Sequence, residues 1–275
     1  MWQEQPRAHT LIHEDARRVS EFVKCIVVHL VERCMRPNQE SGRSRLHVGS
    51  GTPTHMAQSG FVDSLRMPRS GDLPDERIAR AAPLAATPGE AYVERRGIPL
   101  AVADAAGMRF DPDWDGRAAV LIGLYDCEGA LTAVHGRYLT ALRGQNKMLT
   151  VGRGGGVANV GEGWHARHLI LVEGIFDALS LATCGWPSVA TIGRWASWLP
   201  QVCAQRAVWL GFDANAPGDR EAARYAQLLA QSSISRLLPP PRCKDWNTAL
   251  AKRGSATVAR WLRDHVADTN ETSIR

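Results

Sequence analysis

The sequence lacks the features that would place a protein in a membrane or outside the cell. No apolar run reaches the roughly 18–20 residues that a membrane-spanning helix needs. The first segment, MWQEQPRAHTLIHED, carries acids and has no apolar core of the kind found in secretory signals. None of the six cysteines forms a CxxC pair, which favours unpaired thiols in a reducing compartment. We therefore predict a cytoplasmic protein with no membrane partner.

Lysine is also scarce, because only four of the 33 basic side chains are lysines and the rest are arginines. Arginine suits phosphate geometry, although a GC-rich coding sequence produces the same bias and is the simpler interpretation. The formal net charge of +5 permits a nucleic-acid partner without requiring one. The 44% hydrophobic content excludes a wholly disordered or fibrous chain of this length.

The first 85 residues differ in character from the rest. The segment EDARRVSEFVKCIVVHLVERCM has apolar residues at helical spacing, and the Gly-, Ser- and Pro-rich stretch after it is typical of a flexible linker. We predict a poorly ordered or helical region with a linker over residues 1–85, and ordered structure from near Pro74 or Thr87.

From Pro88 onwards, strand and helix patterns alternate. The segment AVLIGLYDCEGALTAVHGRYL predicts a β-hairpin with a turn at 126–129, and LTVGRGGGVANVGEGW predicts a glycine-rich connection. The segments HLILVEG, PSVATIG, RAVWLGFDA and ISRLLPP predict strands separated by helices, one of them over RWASWLPQVCAQ. This alternation is typical of a parallel sheet covered by helices on both faces.

Acidic residues follow the ends of these predicted strands. Glu173 ends one strand, Asp177 lies four residues further on, Asp213 ends another strand, and Asp245 follows the last one. Because parallel strands end at the same edge of a sheet, we expect these carboxylates to converge, with Asn215 beside them. Such oxygen ligands suit Mg²⁺ or Mn²⁺, which can align a phosphoryl group for reaction.

Each acid also has a purely structural interpretation. An acidic residue in the first turn of a helix is favoured by the helix dipole, and for Asp177 this is as good an explanation as a metal site. It suits Glu173 and Asp213 less well, because a carboxylate at the end of an apolar strand has no obvious structural use.

The ordered segments EGIFDALSLATCG, VWLGFDANAPGDREAA and KDWNTAL resemble a Toprim domain, the fold shared by DnaG-type primases, topoisomerases and some nucleases. The upstream segments AYVERRGI and QNKMLT, with the hairpin between them, resemble the basic half of a primase core, so the likeness covers about residues 88–252. It implies an α/β fold in which a mostly parallel Toprim sheet, flanked by helices, follows a smaller α+β hairpin subdomain. We predict the basic half at 86–163, the Toprim domain at 164–254, and a C-terminal helix and tail at 255–275.

The resemblance also implies roles for individual residues. Glu173 and Asp213 would be catalytic. The residues implied as metal ligands are Glu173, Asp177, Asp213, Asn215 and Asp245, and those implied as nucleic-acid or nucleotide contacts are Arg137, Lys147 and Lys244. For Arg137 and Lys147, an ordinary solvated strand end is an equally good interpretation. The implied cofactor is Mg²⁺ or Mn²⁺, and the implied partners are a single-stranded DNA template, nucleoside triphosphates, and a replicative helicase or mobile-element replication protein.

Two features depart from the primase pattern. The second aspartate of the family's DxD motif is Asn215 here, which keeps an oxygen but loses the charge that a second metal would need. The protein would then use one metal, use another acid such as Asp219, or be less active.

The second departure concerns zinc, because no segment has the spacing of the zinc ribbon of replicative primases. The nearest set is Cys25, His29 and Cys34. Cys25 and His29 share an apolar helical face, which favours packed helix residues over zinc ligands. Little sequence follows the last predicted helix where a helicase-interaction domain would lie, which suggests a trimmed mobile-element form or a fragment.

Three functions therefore stay open. The first is a primase-like nucleotidyltransferase that makes short primers on single-stranded DNA. The second is a Toprim nuclease, which would not need the upstream hairpin. The third is a non-catalytic nucleic-acid-binding accessory domain in replication, which the loss of charge at Asn215 would suit. A topoisomerase would need a longer chain with a separate tyrosine domain.

Overall fold

The computed structural model describes residues 65–66 and 73–267. The helix and linker predicted before residue 60 lie outside these residues, as do Cys25, His29 and Cys34 and the end of the C-terminal tail. Within the described residues, no helix is both long and apolar enough to cross a membrane.

The described residues form two β-sheets with helices around them. The strands are β1 (Leu65–Arg66), β2 (Ala82–Pro83), β3 (Arg109–Asp111), β4 (Ala119–Tyr125), β5 (Leu131–Tyr138), β6 (Met148–Gly152), β7 (Ala158–Val160), β8 (Leu169–Val172), β9 (Ser188–Ala190), β10 (Ala207–Leu210) and β11 (Ser233–Arg236). The helices are α1 (Pro74–Arg80), α2 (Pro88–Glu94), α3 (Leu100–Ala105), α4 (Ile175–Thr183), α5 (Leu199–Cys203), α6 (Ala216–Leu228), α7 (Trp246–Arg253) and α8 (Ser255–Ala267). A short 3₁₀ helix occupies Gly163–His165.

The first sheet has the strand order β1-β6-β5-β4-β3-β2 and is antiparallel except for the β1–β6 pair. The predicted hairpin is confirmed as β4 and β5. The Asp126 carboxylate closes its turn by accepting hydrogen bonds from the N–H groups of Glu128 and Ala130. Gly136 in β5 lies so close to the buried indole of Trp114 that any larger residue would collide with it.

The second sheet has the order β11-β10-β8-β9-β7, with β7 antiparallel and the other four strands parallel. The predicted mostly parallel sheet is thereby confirmed. All four residues of β8 are fully buried, as expected for a strand covered on both faces. Helices α4, α7 and α8 contribute side chains to one hydrophobic core cluster. Helix α6 contributes Tyr225 to a second cluster, which also contains Phe212.

Two local predictions were wrong. The stretch predicted as a glycine-rich connection contains most of strand β6 and all of strand β7. Val157 exchanges backbone hydrogen bonds with Tyr125, and these bonds align the segment that forms β7. The helix predicted over 194–205 is confined to α5, since Trp195 before it packs edge-on against Tyr225.

Three strands lie beyond the predicted domain boundaries. Strand β1 pairs with β6 and strand β2 pairs with β3, so the first sheet includes residues before position 86. Strand β7 pairs with β9, so the second sheet includes residues before position 164. The division of the chain at 85/86, 163/164 and 254/255 stays a prediction about domains.

Candidate active site

Glu173 lies immediately after β8 and immediately before Gly174, the residue that caps α4. A side chain at Gly174 would crowd the Asp177 carboxylate, with its Cβ 2.8 Å from Oδ2. Burial raises the pKa of Glu173, and the negative charges of Asp213 and Glu221 raise it further. Glu173 is therefore a partly buried carboxyl group among other acids, where a cation would be favoured.

Asp213 follows β10 and lies at the same edge of the sheet. Burial raises its pKa, and Asp245 raises it further, while Lys244, Arg236 and a hydrogen bond from Asn215 act in the opposite direction. The two strand ends thus bring together carboxylates that repel each other, as predicted from their order in the chain.

Asn215 uses its two side-chain ends differently. Its Oδ1 caps α6 by accepting a hydrogen bond from Gly218 N–H at 2.9 Å, and its Nδ2 donates to Asp213 Oδ2 at 3.3 Å. Gly218 is required at this cap because any Cβ would collide with the Asp213 carbonyl oxygen. In this arrangement Asn215 presents an amide N–H, not an oxygen, to the neighbouring carboxylate.

Asp177 is buried and its Oδ1 accepts two backbone hydrogen bonds, from Trp246 at 2.9 Å and from Asn247 at 3.1 Å. Burial, followed by the charges of Asp245 and Asp213, raises its pKa to about 7 despite the two hydrogen bonds, which act in the opposite direction. Both bonds go to the start of α7, so Asp177 fixes the beginning of that helix.

Asp245 is the N-cap of α7. Its Oδ1 accepts a hydrogen bond from Thr248 N–H at 2.6 Å, while its Oδ2 lies 3.4 Å from Lys244 Nζ. The carbonyl oxygen of Lys244 accepts a hydrogen bond from Ala214 N–H at 2.7 Å, which ties this segment to the loop that carries Asp213.

Arg236, the last residue of β11, stabilises the loop that carries Asp213 by hydrogen-bonding its backbone, a role that the sequence did not reveal. Its guanidinium donates to the carbonyl oxygens of Leu210, Phe212 and Asp213 at 2.7–2.9 Å. It also pairs with Asp219 at 3.0 Å, so the acid considered as a substitute ligand is engaged elsewhere.

A cleft of about 300 Å³ lies beside these groups. The charged or titratable side chains that line it are Arg96, His135, Arg137, Glu173, Asp177, Asp213, Lys244 and Asp245. Lys147, by contrast, is exposed just before β6 and is not part of the lining, although its neighbour Met148 is. The structure therefore gathers most of the predicted site residues into one cleft with acids and bases on its walls.

Sequence reasoning missed several other lining residues, among them Arg96 and Ile192. Arg96, within the AYVERRGI motif, stacks on the Phe176 ring at 4.2 Å and donates to Asn247 Oδ1 at 3.1 Å. Ile192, in the loop after β9, has a φ of +54°, a conformation that costs a β-branched residue on the order of 1–3 kcal/mol. Such strain is often found at functional sites.

The donor chemistry of the site fits a hard divalent cation. The pKa values of Glu173 and Asp213 are both raised, by burial and by neighbouring acids, and a nearby cation would stabilise the charged form of each carboxylate. No group of three or more Asp, Glu, His or Cys side chains within the described residues is arranged to hold a metal ion by itself.

The chain contains a Toprim-like domain, since residues 170–250 match the family model of that description. The match includes Asp177, Asp213 and Asp245, as well as Glu173. No curated protein sequence matches the chain.

Over about 70% of the chain, the fold is similar to that of DnaG primase catalytic cores, as the resemblance predicted. The Aquifex aeolicus primase structure with zinc-binding and RNA polymerase domains has a TM-score of 0.55 and 18% identity, over 69% of this chain and 59% of that chain. The chain thus spans little more than half of that primase structure. The DnaG primase catalytic domain bound to ssDNA has a TM-score of 0.55 and 19% identity, over 70% and 77% of the two chains. The RNA polymerase domain of Mycobacterium tuberculosis DnaG has a TM-score of 0.56 and 16% identity, over 70% and 81%.

Proposed function

We propose that the protein is a metal-dependent, primase-like nucleotidyltransferase that joins nucleoside triphosphates into short primers on single-stranded DNA. The observation that carries this proposal is the cleft in which Glu173 and Asp213 lie together with Arg137 and Lys244. Its acids suit a metal ion, and its bases suit phosphates. The similar DnaG catalytic domain bound to ssDNA supports the choice of template.

In this reaction a 3′-hydroxyl attacks the α-phosphorus of a nucleoside triphosphate, and pyrophosphate leaves. Arg137 and Lys244 would bind the phosphates, and Glu173, with its raised pKa, would accept the proton of the attacking hydroxyl. Glu173 and Asp213 would also hold Mg²⁺ or Mn²⁺, which when bound supplies positive charge against the phosphates. Asp177 and Asp245 would act mainly by fixing α7 beside the cleft.

The test is primer synthesis on single-stranded DNA with labelled nucleotides, in Mg²⁺ and in Mn²⁺. Glu173→Gln removes a charge that the reaction needs, so product should fall by a factor of at least about 100. Glu221→Gln is the matched control, because Glu221 is near enough to influence Glu173 but is paired with Arg224 at 2.7 Å. It should keep activity within about threefold. Equal product from wild type and Glu173→Gln would show the proposal to be wrong.

One observation favours a non-catalytic alternative. The Asn215 amide donates to Asp213, where an aspartate would have added a second negative charge for a metal. If the protein only binds nucleic acid, it should bind single-stranded DNA with strong salt dependence, make no primer, and be unaffected by a chelator. Degradation of labelled DNA with metal but without nucleotides would instead identify a Toprim nuclease.

The remaining parts of the proposal concern the cellular setting. We propose a cytoplasmic location and a replicative helicase or a mobile-element replication protein as partner. Reconstitution of primer synthesis with and without the helicase of the same replication system would test the partner, since a functional partner should raise the yield of primer.

A further inference from the structure

His135 is a buried residue that nevertheless lines the cleft, with 4% of its surface exposed. In the register of the first sheet it pairs with Thr150, and the next residue on the same face of β5, Arg137, pairs with Met148. His135, Arg137 and Met148 all line the cleft. The sheet therefore presents an imidazole beside a guanidinium on the wall of the cleft.

One ring nitrogen of His135 is already used by the protein. Nδ1 lies 2.9 Å from the buried hydroxyl oxygen of Thr150. This bond fixes the ring orientation and directs the other nitrogen, Nε2, away from β6.

Nε2 has no hydrogen-bond partner among the described residues. Among the side-chain nitrogen and oxygen atoms of the described residues, Ser188 Oγ is the only one that is both fully buried and without a hydrogen-bond partner. Because Nε2 also has no partner, it must keep some exposed surface, and it does so on a buried side chain that lines the cleft. An unmet hydrogen bond of this kind is normally satisfied by water or a ligand.

The surroundings indicate what kind of ligand group Nε2 meets. Burial lowers the pKa of His135 to about 3, and Arg137 and Arg194 contribute, so the ring is neutral at physiological pH. A neutral ring adds little to phosphate binding beside arginines. A hydroxyl group both donates and accepts, so it matches either tautomer of the ring. The adjoining Met148 and Ile192 suit the carbon face of a sugar.

We propose that His135 is a positioning residue whose cleft-facing nitrogen hydrogen-bonds a sugar hydroxyl of the bound nucleotide. The proposal rests on the proposed function, because it assumes that a nucleotide occupies the cleft. The sugar of the bound nucleotide would then lie against the wall of the cleft that β5 and β6 form.

Calorimetric titration with ATP and with 2′,3′-dideoxy-ATP, both with Mg²⁺, tests this contact. We expect the wild type to bind dideoxy-ATP about five- to tenfold more weakly than ATP, the value of one hydrogen bond. His135→Ala should weaken ATP binding by a similar factor but leave dideoxy-ATP binding unchanged. This thermodynamic cycle isolates the contact between ring and hydroxyl from general effects of the substitution.

Two conservative variants separate the contact from a structural role. In His135→Gln the amide reaches the position of Nε2, whereas in His135→Asn it reaches the position of Nδ1 beside Thr150. Gln should therefore restore most ATP affinity and Asn should not. The reverse result would assign His135 to the support of Thr150 and overturn the proposal, as would equal weakening of ATP and dideoxy-ATP by His135→Ala.

The outcome also separates this proposal from the proposed function. Absence of nucleotide binding by the wild type would overturn both. Primer synthesis that depends on Glu173, combined with no coupling between His135 and the sugar hydroxyls, would overturn the His135 proposal alone. The comparison of ATP with dideoxy-ATP on the wild type is valid even if a variant folds poorly.

Discussion

Asp177 and Trp246 are joined by a hydrogen bond between positions 69 residues apart, in which the Asp177 carboxylate accepts from the Trp246 backbone N–H at 2.9 Å. The same oxygen accepts from Asn247, and the Trp246 indole in turn donates to the Gly211 carbonyl oxygen at 2.8 Å. The strand ends that carry Glu173 and Asp213 and the helix capped by Asp245 are therefore held in one arrangement by a buried carboxylate.

The first prediction concerns stability and pH at Asp177. Its pKa of about 7 in the folded protein exceeds the ordinary value of 3.8. Between these values the folded protein holds a proton that the unfolded chain has released, so stability falls as pH rises from about 4 to 7. Asp177→Asn keeps an acceptor oxygen and cannot ionise, so its free energy of unfolding should lose less over this interval.

Urea unfolding of wild type and Asp177→Asn at pH 5 and pH 8 measures this difference. Glu173 and Asp213 have raised pKa values and contribute a slope of the same sign, so the informative quantity is the change in slope between the two proteins. Asp177→Ala should be about 2 kcal/mol less stable than Asp177→Asn at both pH values, because it loses both hydrogen bonds. Identical slopes for wild type and Asp177→Asn would contradict the prediction.

The second prediction concerns Asn215. Asn215→Asp keeps a good N-cap for α6 but replaces the N–H that faces Asp213 with a second carboxylate. Without metal the variant should be about 1 kcal/mol less stable than wild type, because the two carboxylates repel each other. Added Mn²⁺ should raise the thermal midpoint of the variant more than that of the wild type, as measured by scanning calorimetry. Equal shifts in the two proteins would show that position 215 does not influence metal binding.

The third prediction concerns Arg236 as the support of the Asp213 loop. Arg236→Lys keeps the charge but cannot reach the carbonyl oxygens of Leu210, Phe212 and Asp213 together, so we expect a loss of about 2–4 kcal/mol in urea unfolding. Asp219→Asn removes only an exposed ion pair and should cost at most about 1 kcal/mol. Equal losses in the two variants would mean that the ion pair, not the carbonyl contacts, is what Arg236 contributes.

The fourth prediction separates Arg137 from Lys147. Both were predicted to contact nucleic acid, but only Arg137 lines the cleft. In fluorescence anisotropy with labelled single-stranded DNA, Arg137→Ala should weaken binding about tenfold and reduce the salt slope by about 0.7, the value of one phosphate contact. Lys147→Ala, the matched loss of a positive charge, should change affinity by no more than about threefold. A larger effect of Lys147→Ala would place the nucleic acid outside the cleft.

The convergence of the carboxylates was predictable because it follows from topology. Parallel strands that alternate with helices must end at one edge, so an acid after each strand lies at that edge wherever the strands fall in the sequence. The hairpin was predictable from a local pattern, because two apolar runs flank a short turn, which Asp126 closes in the structure.

The remaining features depend on contacts that no local pattern encodes. Arg236 looks like an ordinary strand residue, and its use becomes visible only when the β10 loop is folded beside it. Strand β7 was missed because its partner β9 is distant in the sequence, with the paired positions Ala158 and Ala190 lying 32 residues apart. The position of Lys147 outside the lining depends on strand alternation, in which a shift of one residue moves a side chain to the opposite face.

The bond between Arg96 and Asn247 spans 151 positions, and it has a consequence for synthesis of the protein. A nascent chain can form the hairpin early, because β4 and β5 are adjacent. The wall that includes Arg96 cannot meet its partner on α7 until the segment that carries Asn247 has left the ribosome. Formation of the cleft is thus a late, high-contact-order event in folding, and a truncated translation product that stops before α7 would have the hairpin without a complete cleft.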